Sequence, residues 1–242
     1  MNDVMRRLGR RPFAIIGHRG AAGLAPENTI AGVLRAIEAG CDLVEIDIQV
    51  TSDGVAIALH DEDLRRVAGV DINVRRARYS DLSGISISGE RIATLDEILS
   101  KVIDRVGVLI EVKTPGDETI ALDVVKRVGA VDRIALISFH ESVLNNSKRS
   151  MPTIPLGIIY AQPPGKIVEA KKSGYQLALP RYPLATVKAI ELAHRLGLKV
   201  IAWTVNDDKW VRELASRRID GIATDYPDMV YRVREELQRG TQ

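Results

Sequence analysis

A (β/α)8 TIM barrel, with a small insertion after the second strand and its hairpin, is the fold the sequence predicts. Three observations carry that prediction. Strand-like and helix-like stretches alternate almost throughout. Eight such βα units fit in 242 residues, the count and length of that barrel. Polar, chemistry-bearing residues stand again and again at the carboxyl ends of the strands, where such barrels carry their sites. A doubly wound open sheet is the alternative, and it usually needs fewer strands.

Taken in order, Phe13 to Gly17 reads as a first short strand, and 20–26 as a loop. A helix follows from about Asn28, with Ile30, Val33, Leu34 and Ile37 at helical spacing and Gly40 as its stop. The second strand, 42–50, is rich in Val and Ile and patterned with period two. A Ser52-Asp-Gly54 turn leads to a hairpin partner, Val55 to His60. Residues 61–93 break the rhythm: they are polar, rich in Arg and Gly, and read as an irregular cap of the kind that often sets specificity. Thr94-Leu-Asp-Glu97 is a capping-box match opening a helix through about Ile103.

Strands are then expected at 107–113, 133–139, 156–160, 177–179, 199–205 and 221–225. Helices are expected between and after them, at 118–128, 141–149, 165–173, 184–196, 207–216 and 229–237. The reading is one catalytic domain, 13–238, with the 61–93 cap inside it and a basic, solvated N-terminal tail at 1–12.

Composition narrows the function classes. Hydrophobic residues make up 45% and charged residues 27%, as in soluble globular domains. A net charge of +2 marks no nucleic-acid binder. Cys41 is the only cysteine, which rules out an intrachain disulfide and cysteine-based metal clusters. It reads as a small buried hydrophobe at a helix end. No apolar run approaches the roughly 20 residues that span a bilayer. Phe13 to Ile16 is too short for a signal core, so a cytoplasmic protein is expected.

The chemistry starts on the second strand. Alternate side chains share a face, so Leu43, Glu45, Asp47 and Gln49 lie on one side and Val44, Ile46, Ile48 and Val50 on the other. Two like charges side by side on a buried face cost several kcal/mol unless neutralised. The third strand repeats the pattern: Glu111 and Lys113 share a face, which makes Glu111 a third inward acid. Arg19 and Lys113 supply two cations against three acids. The deficit points to a divalent cation on Glu45, Asp47 and Glu111, and oxygen donors suit hard Mg²⁺ or Ca²⁺. Internal salt bridges alone are the blander alternative.

His18 and His60 end the first strand and the hairpin, beside this cluster. Near neutral pH one imidazole can take a proton while another gives one. Such a pair, with a cation and the charges of Arg19 and Lys113, suits phosphodiester cleavage. Of the other two histidines, His194 reads as a solvated helix residue, and His140 stands near the mouth without an assigned role. Gly17-His-Arg-Gly20-Ala-Ala-Gly23 imitates a dinucleotide fingerprint. Its spacing is wrong, and Pro26 intervenes before the helix.

The ordered set His18-Arg-Gly20, Glu27-Asn-Thr29, Glu45-x-Asp47, Asp53-Gly54, His60-Asp61, Thr94-Leu95, Glu111-x-Lys113 and Trp203-Thr-Val-Asn206 resembles the glycerophosphodiester phosphodiesterase family, over about residues 13–230. The resemblance implies a TIM barrel that hydrolyses glycerophosphodiesters to an alcohol and glycerol 3-phosphate. It implies Glu45, Asp47 and Glu111 as metal ligands, His18 and His60 as the acid/base pair, and Arg19 and Lys113 as phosphate contacts. It also implies first attack by the glycerol 2-hydroxyl, giving a cyclic phosphate that water opens. Trp203 matches an aromatic of the substrate mouth, with simple core packing the alternative.

The chain departs from the family pattern in the cap. Leu64-Arg-Arg66 is kept, the Thr-rich stretch after it is missing, and Ala93 stands where a Pro commonly precedes Thr94. Head-group preference is therefore open. The expected partner is a small-molecule glycerophosphodiester, with no nucleic acid and no stable membrane insertion; a homodimer stays open. A phospholipase-like lyase or lysophospholipase D would use the same fold, and a non-catalytic phosphate binder is the third class.

Overall fold

The computed structural model describes residues 1–102 and 104–240. Eight parallel strands close into a barrel: β1 (Ala14–Gly17), β2 (Leu43–Val50), β6 (Gly107–Val112), β7 (Ile134–Ser138), β8 (Leu156–Tyr160), β9 (Leu177–Pro180), β10 (Lys199–Ala202) and β11 (Gly221–Thr224). β1 pairs with β11 on one side and β2 on the other, which closes the ring. A short strand β3 (Ala56–Ala58) runs antiparallel on β2, as the hairpin pattern predicts.

Helices cover the outside: α2 (Ile30–Glu38), α4 (Leu95–Val102), α5 (Asp117–Val128), α6 (Glu141–Ser150), α7 (Ile167–Ser173), α8 (Val187–Arg195), α9 (Asp208–Ser216) and α10 (Pro227–Arg239). Most bounds fall within two residues of expectation. The expected end of the α4 helix, Ile103, lies outside the described residues. No helix among those described is long and apolar enough to cross a membrane.

Period two explains the two cores. Val44, Ile46, Ile48 and Val50 pack outward against the helices. Leu43, Leu109, Ile137, Leu179 and Ile201 fill the barrel interior. The capping box at Thr94 forms: Thr94 N–H donates to Glu97 Oε2 at 2.9 Å, and Glu97 N–H to Thr94 Oγ1 at 3.2 Å.

The expected solvated tail is a correction. α1 (Asp3–Arg7) is a helix whose Val4, with Leu8 one turn on, is fully buried among the interior residues Ile16, Leu43 and Leu109. An i, i+4 apolar pair on one helix face needs a partner, and the floor of the barrel supplies it. Gly107 and Gly221 leave the room: a Cβ there would come within 3.2 Å of Val4 and 3.1 Å of Leu8. The basic residues are also engaged. Arg7 Nε lies 2.6 Å from Asp3 Oδ2, and Arg10 Nη1 lies 2.8 Å from Asp42 Oδ1.

His194 is exposed on α8, as expected, and it also has a partner. Its Nε2 sits 2.7 Å from Asp220 Oδ2, at the end of the barrel opposite the strand carboxyl ends. Asp220 is fully buried, and it also accepts from Val200 N–H and Lys199 Nζ. Cys41 follows α2, partly buried against the core, and burial pushes its thiol pKa up.

Residues 61–93 carry more order than their composition indicates. They hold α3 (Arg65–Ala68), two single 3-10 turns (Val74–Arg76 and Tyr79–Leu82), and a small hairpin of β4 (Ser86–Ile87) and β5 (Glu90–Arg91). Leu64, Val74, Leu82, Ile87 and Ile92 bury against Ile57 and Leu59 of the hairpin, a satellite core separate from the barrel.

Candidate active site

The register of the sheet sets the acids side by side. Asp47 on β2 stands opposite Glu111 on β6, and Glu45 opposite Leu109. Oxygens of Glu45, Asp47 and Glu111 lie within 4.8 Å of one another, and all three residues are buried. Burial and the Asp47 charge raise Glu45 to about 7. They raise Glu111 to about 8, Lys113 only partly opposing them. Asp47 takes the other course: burial would raise it, but Lys113 and Arg19 draw it down to about 2.

The two cations are placed as the charge count asks. Lys113 Nζ lies 2.6 Å from Glu111 Oε1 and 2.8 Å from Asp47 Oδ1. Arg19 Nε lies 3.3 Å from Asp47 Oδ2, and its backbone N–H donates to Glu45 Oε2 at 2.8 Å. Among the described residues, Glu45 Oε1 is a buried carboxylate oxygen with no hydrogen-bond partner. An orphaned oxygen and two carboxyls that resist ionising together are what a hard divalent cation would satisfy. The donor set fits one.

His18 and His60 both face the resulting cavity, which encloses about 200 Å³. His18, Arg19, Glu45, His60, Glu111 and Lys113 form its polar half. Asp47 lies beneath, 1% exposed. Phe139, Ile159, Leu179 and Trp203 form the apolar half. Trp203 both lines the cavity and packs within the barrel. Its Nε1–H donates to Leu179 O at 2.8 Å, it packs on the barrel interior, and its ring meets Phe139 edge-on at 5.6 Å. His140 is exposed at the N-cap of α6 and takes no part in the lining.

Each imidazole has a carboxylate behind it, which residue patterns did not reveal. Asp225, just past β11, sits 2.7 Å from His18 Nδ1. Asp61 sits 2.6 Å from His60 Nδ1. A carboxylate on Nδ1 favours a proton there and leaves Nε2 as the working nitrogen. The neighbourhoods differ. Burial pulls His18 down, but the Asp225 bond and the Glu45 charge more than offset it, and its pKa is raised. Burial dominates at His60, whose pKa is lowered despite Asp47 and Asp61. Asn206 holds Asp225 in turn, through Nδ2 to Oδ2 at 2.6 Å and through Oδ1 from the Asp225 N–H at 2.9 Å.

The glycines after β1 have a packing reason. A Cβ on Gly17 would meet Gly20 O at 2.1 Å, and one on Gly20, at φ +83°, would meet the α2 backbone at 2.6 Å. The loop turns tightly against α2 to deliver His18 and Arg19, and the imitation of a dinucleotide fingerprint follows from that.

Comparison with known proteins points to one family and one fold. The sequence profile of the Glycerophosphoryl diester phosphodiesterase family matches residues 18–229. The glycerophosphodiester phosphodiesterase of Caldanaerobacter subterraneus subsp. tengcongensis is 30% identical, over 88% of this chain and 94% of its own. A solved structure from Silicibacter pomeroyi DSS-3 shares the fold with a TM-score of 0.92 at 24% identity, covering 98% of this chain and 99% of that one. An Oleispira antarctica phosphodiesterase, solved with the product sn-glycerol-3-phosphate, shares it at 0.84 and 24% identity, over 92% and 96% of the two chains.

Proposed function

Because the chain belongs to the glycerophosphoryl diester phosphodiesterase family and hydrolyses glycerophosphodiesters, we propose that it does so with a divalent cation on Glu45, Asp47 and Glu111 and with His18 and His60 as an acid/base pair. One observation carries the reading. Three buried acids, with one oxygen unpartnered, converge beside two imidazoles that are each backed by a carboxylate.

Bound there, Mg²⁺ or Ca²⁺ would neutralise phosphate oxygens as charge builds at phosphorus. Arg19 and Lys113 add fixed positive charge beside the phosphate. One imidazole takes the proton of the attacking hydroxyl, and the other gives one to the leaving alkoxide. The attacker is the glycerol 2-hydroxyl, and water then opens the cyclic phosphate. Trp203 and Phe139 offer the carbon skeleton an apolar wall.

In this reading 13–238 is the catalytic domain and 61–93 is a cap that sets head-group choice. The protein works in the cytoplasm on small soluble diesters. A lysophospholipase D reading draws support from the apolar half of the cavity. It ranks second, because about 200 Å³ leaves a long acyl chain outside.

The test is release of sn-glycerol 3-phosphate from a panel of glycerophosphodiesters and one lysophospholipid, with and without chelator. Release from the deacylated substrates that stops on chelation and returns with Mg²⁺ or Ca²⁺ is expected. Full turnover in excess chelator, after dialysis, overturns the metal assignment.

A further inference from the structure

Arg66 belongs to the cap, on α3, and nothing in the reaction described so far uses it. Yet its guanidinium is bound on all three nitrogens. Nε donates to Asp61 Oδ2 at 2.7 Å. Nη1 and Nη2 donate to the two oxygens of Glu27, each at 2.7 Å. Each acceptor then reaches into the site. The other oxygen of Asp61 holds His60 Nδ1 at 2.6 Å, and Glu27 Oε1 also accepts from Arg19 Nη1 at 3.0 Å.

We propose that Arg66 is a positioning residue for His60 and Arg19: by fixing Asp61 and Glu27 from the cap, it aligns the imidazole and the phosphate-binding guanidinium at once. The inference rests on the acid/base reading of His60 given above.

The geometry favours this over simple anchoring of the cap. The cap already has its own apolar core on Ile57 and Leu59, so it does not need an ion pair to stay in place. Arg66 is about half exposed, where a lone ion pair adds little. A planar fork that meets one carboxylate with both Nη atoms while Nε meets another is different: it fixes the angle between the two carboxylates. Asp61 cannot turn from His60 without breaking the Nε bond. Against its burial, the bonds from His60 and Arg66 hold Asp61 below the usual carboxylate range, so it stays ionised and able to accept from both. Arg66 thereby couples the seating of the cap to the orientation of a catalytic side chain.

The experiment measures kcat, KM and divalent-cation affinity on a natural glycerophosphodiester for Arg66→Met, Arg66→Lys, Asp61→Asn, the Arg66→Met/Asp61→Asn double variant and His60→Ala. Arg65→Ala is the control, because Arg65 pairs with exposed Asp71 away from the site. The expected result is a fall in kcat of roughly 10–100-fold for Arg66→Met, with KM and cation affinity within about twofold. Arg66→Lys keeps the charge but not the fork, and should recover only part. Adding Asp61→Asn to Arg66→Met should cost little more than Arg66→Met alone, because Asp61 acts through the imidazole that loss of Arg66 has already freed.

A purely structural role would lower the melting temperature and leave kcat of the folded fraction alone; that outcome overturns the proposal. So does a rise in KM at unchanged kcat, or fully additive losses. If Arg66→Met fails to fold, Arg66→Lys and the Asp61→Asn comparison carry the same decision. If His60→Ala keeps wild-type turnover, the acid/base reading itself fails. If His60→Ala loses activity while Arg66→Met does not, only the role of Arg66 fails.

Discussion

Asn28 and Asp47 hold each other twice. Asn28 Nδ2 donates to Asp47 Oδ2 at 2.9 Å, and the Asp47 backbone N–H donates to Asn28 Oδ1 at 3.0 Å. Asn28 is 1% exposed and sits at φ 53°, a left-handed conformation that Asn tolerates better than most residues. The clasp fixes the rotation of the central acid while Lys113 holds its other oxygen. Asn28→Ala should therefore weaken divalent-cation affinity by roughly 10–100-fold without unfolding the barrel. Calorimetric titration with Mg²⁺ and Ca²⁺ checks it, and wild-type affinity in the variant would contradict it.

The two imidazoles should be separable by leaving group. His18→Ala and His60→Ala should each lower kcat on a natural diester by roughly 10²–10⁴-fold with cation affinity kept. An activated aryl ester needs no proton on departure, so it should restore the variant that lost the acid and not the one that lost the base. Near-wild-type turnover of both variants on the natural substrate would show that the site does other chemistry.

Proton linkage gives a test that needs no substrate. Glu45 at about 7 and Glu111 at about 8 lie above their ordinary 4.5. A carboxyl raised on folding binds more protons folded than unfolded, so the chelated protein should lose stability as pH climbs from about 5 to 8. Asp47 acts oppositely: lowered from 3.8 to about 2, it contributes stability above about pH 4, which is lost as pH falls toward 2. Cation binding needs the acids ionised. It should release about two protons at pH 6 and almost none at pH 9. Calorimetry in buffers of different ionisation enthalpy counts them, and a release that does not vary with pH would contradict the raised values.

The barrel floor offers a stability test far from the chemistry. Leu8 is fully buried against the interior. Leu8→Ala should cost about 2–5 kcal/mol of unfolding free energy while the folded enzyme keeps its kcat. Urea denaturation measures it, and no change would mean that α1 packs only loosely.

The groove between the cap and the β1–α2 loop tests head-group choice. Val67 lines it beside Glu27, Arg66 and Ala22. Val67→Glu should favour a cationic over a neutral head group by roughly threefold or more in kcat/KM, leaving cation affinity unchanged. An unaltered substrate ratio would place head-group choice elsewhere.

The sequence by itself determined the barrel, because alternating βα patterning and an inward–outward period along each strand are local properties that survive without partners. It determined the acid cluster for the same reason. Period two puts Glu45 with Asp47 and Glu111 with Lys113 on inward faces wherever the strands end up. What period two cannot give is register, and only the β2–β6 pairing sets Asp47 beside Glu111. The partner of His18 was equally invisible: Asp225 lies 207 positions away, and Arg66 lies 39 from Glu27, so nothing in local spacing marks those pairs, whereas Asp61 stands next to His60 in the chain. The first twelve residues misled for a related reason. Four arginines read as a solvated tail, because the apolar pair Val4 and Leu8 becomes meaningful only when a barrel floor exists to receive it. Periodicity is written in the chain one element at a time, whereas contacts between distant elements come into being only when the ring closes.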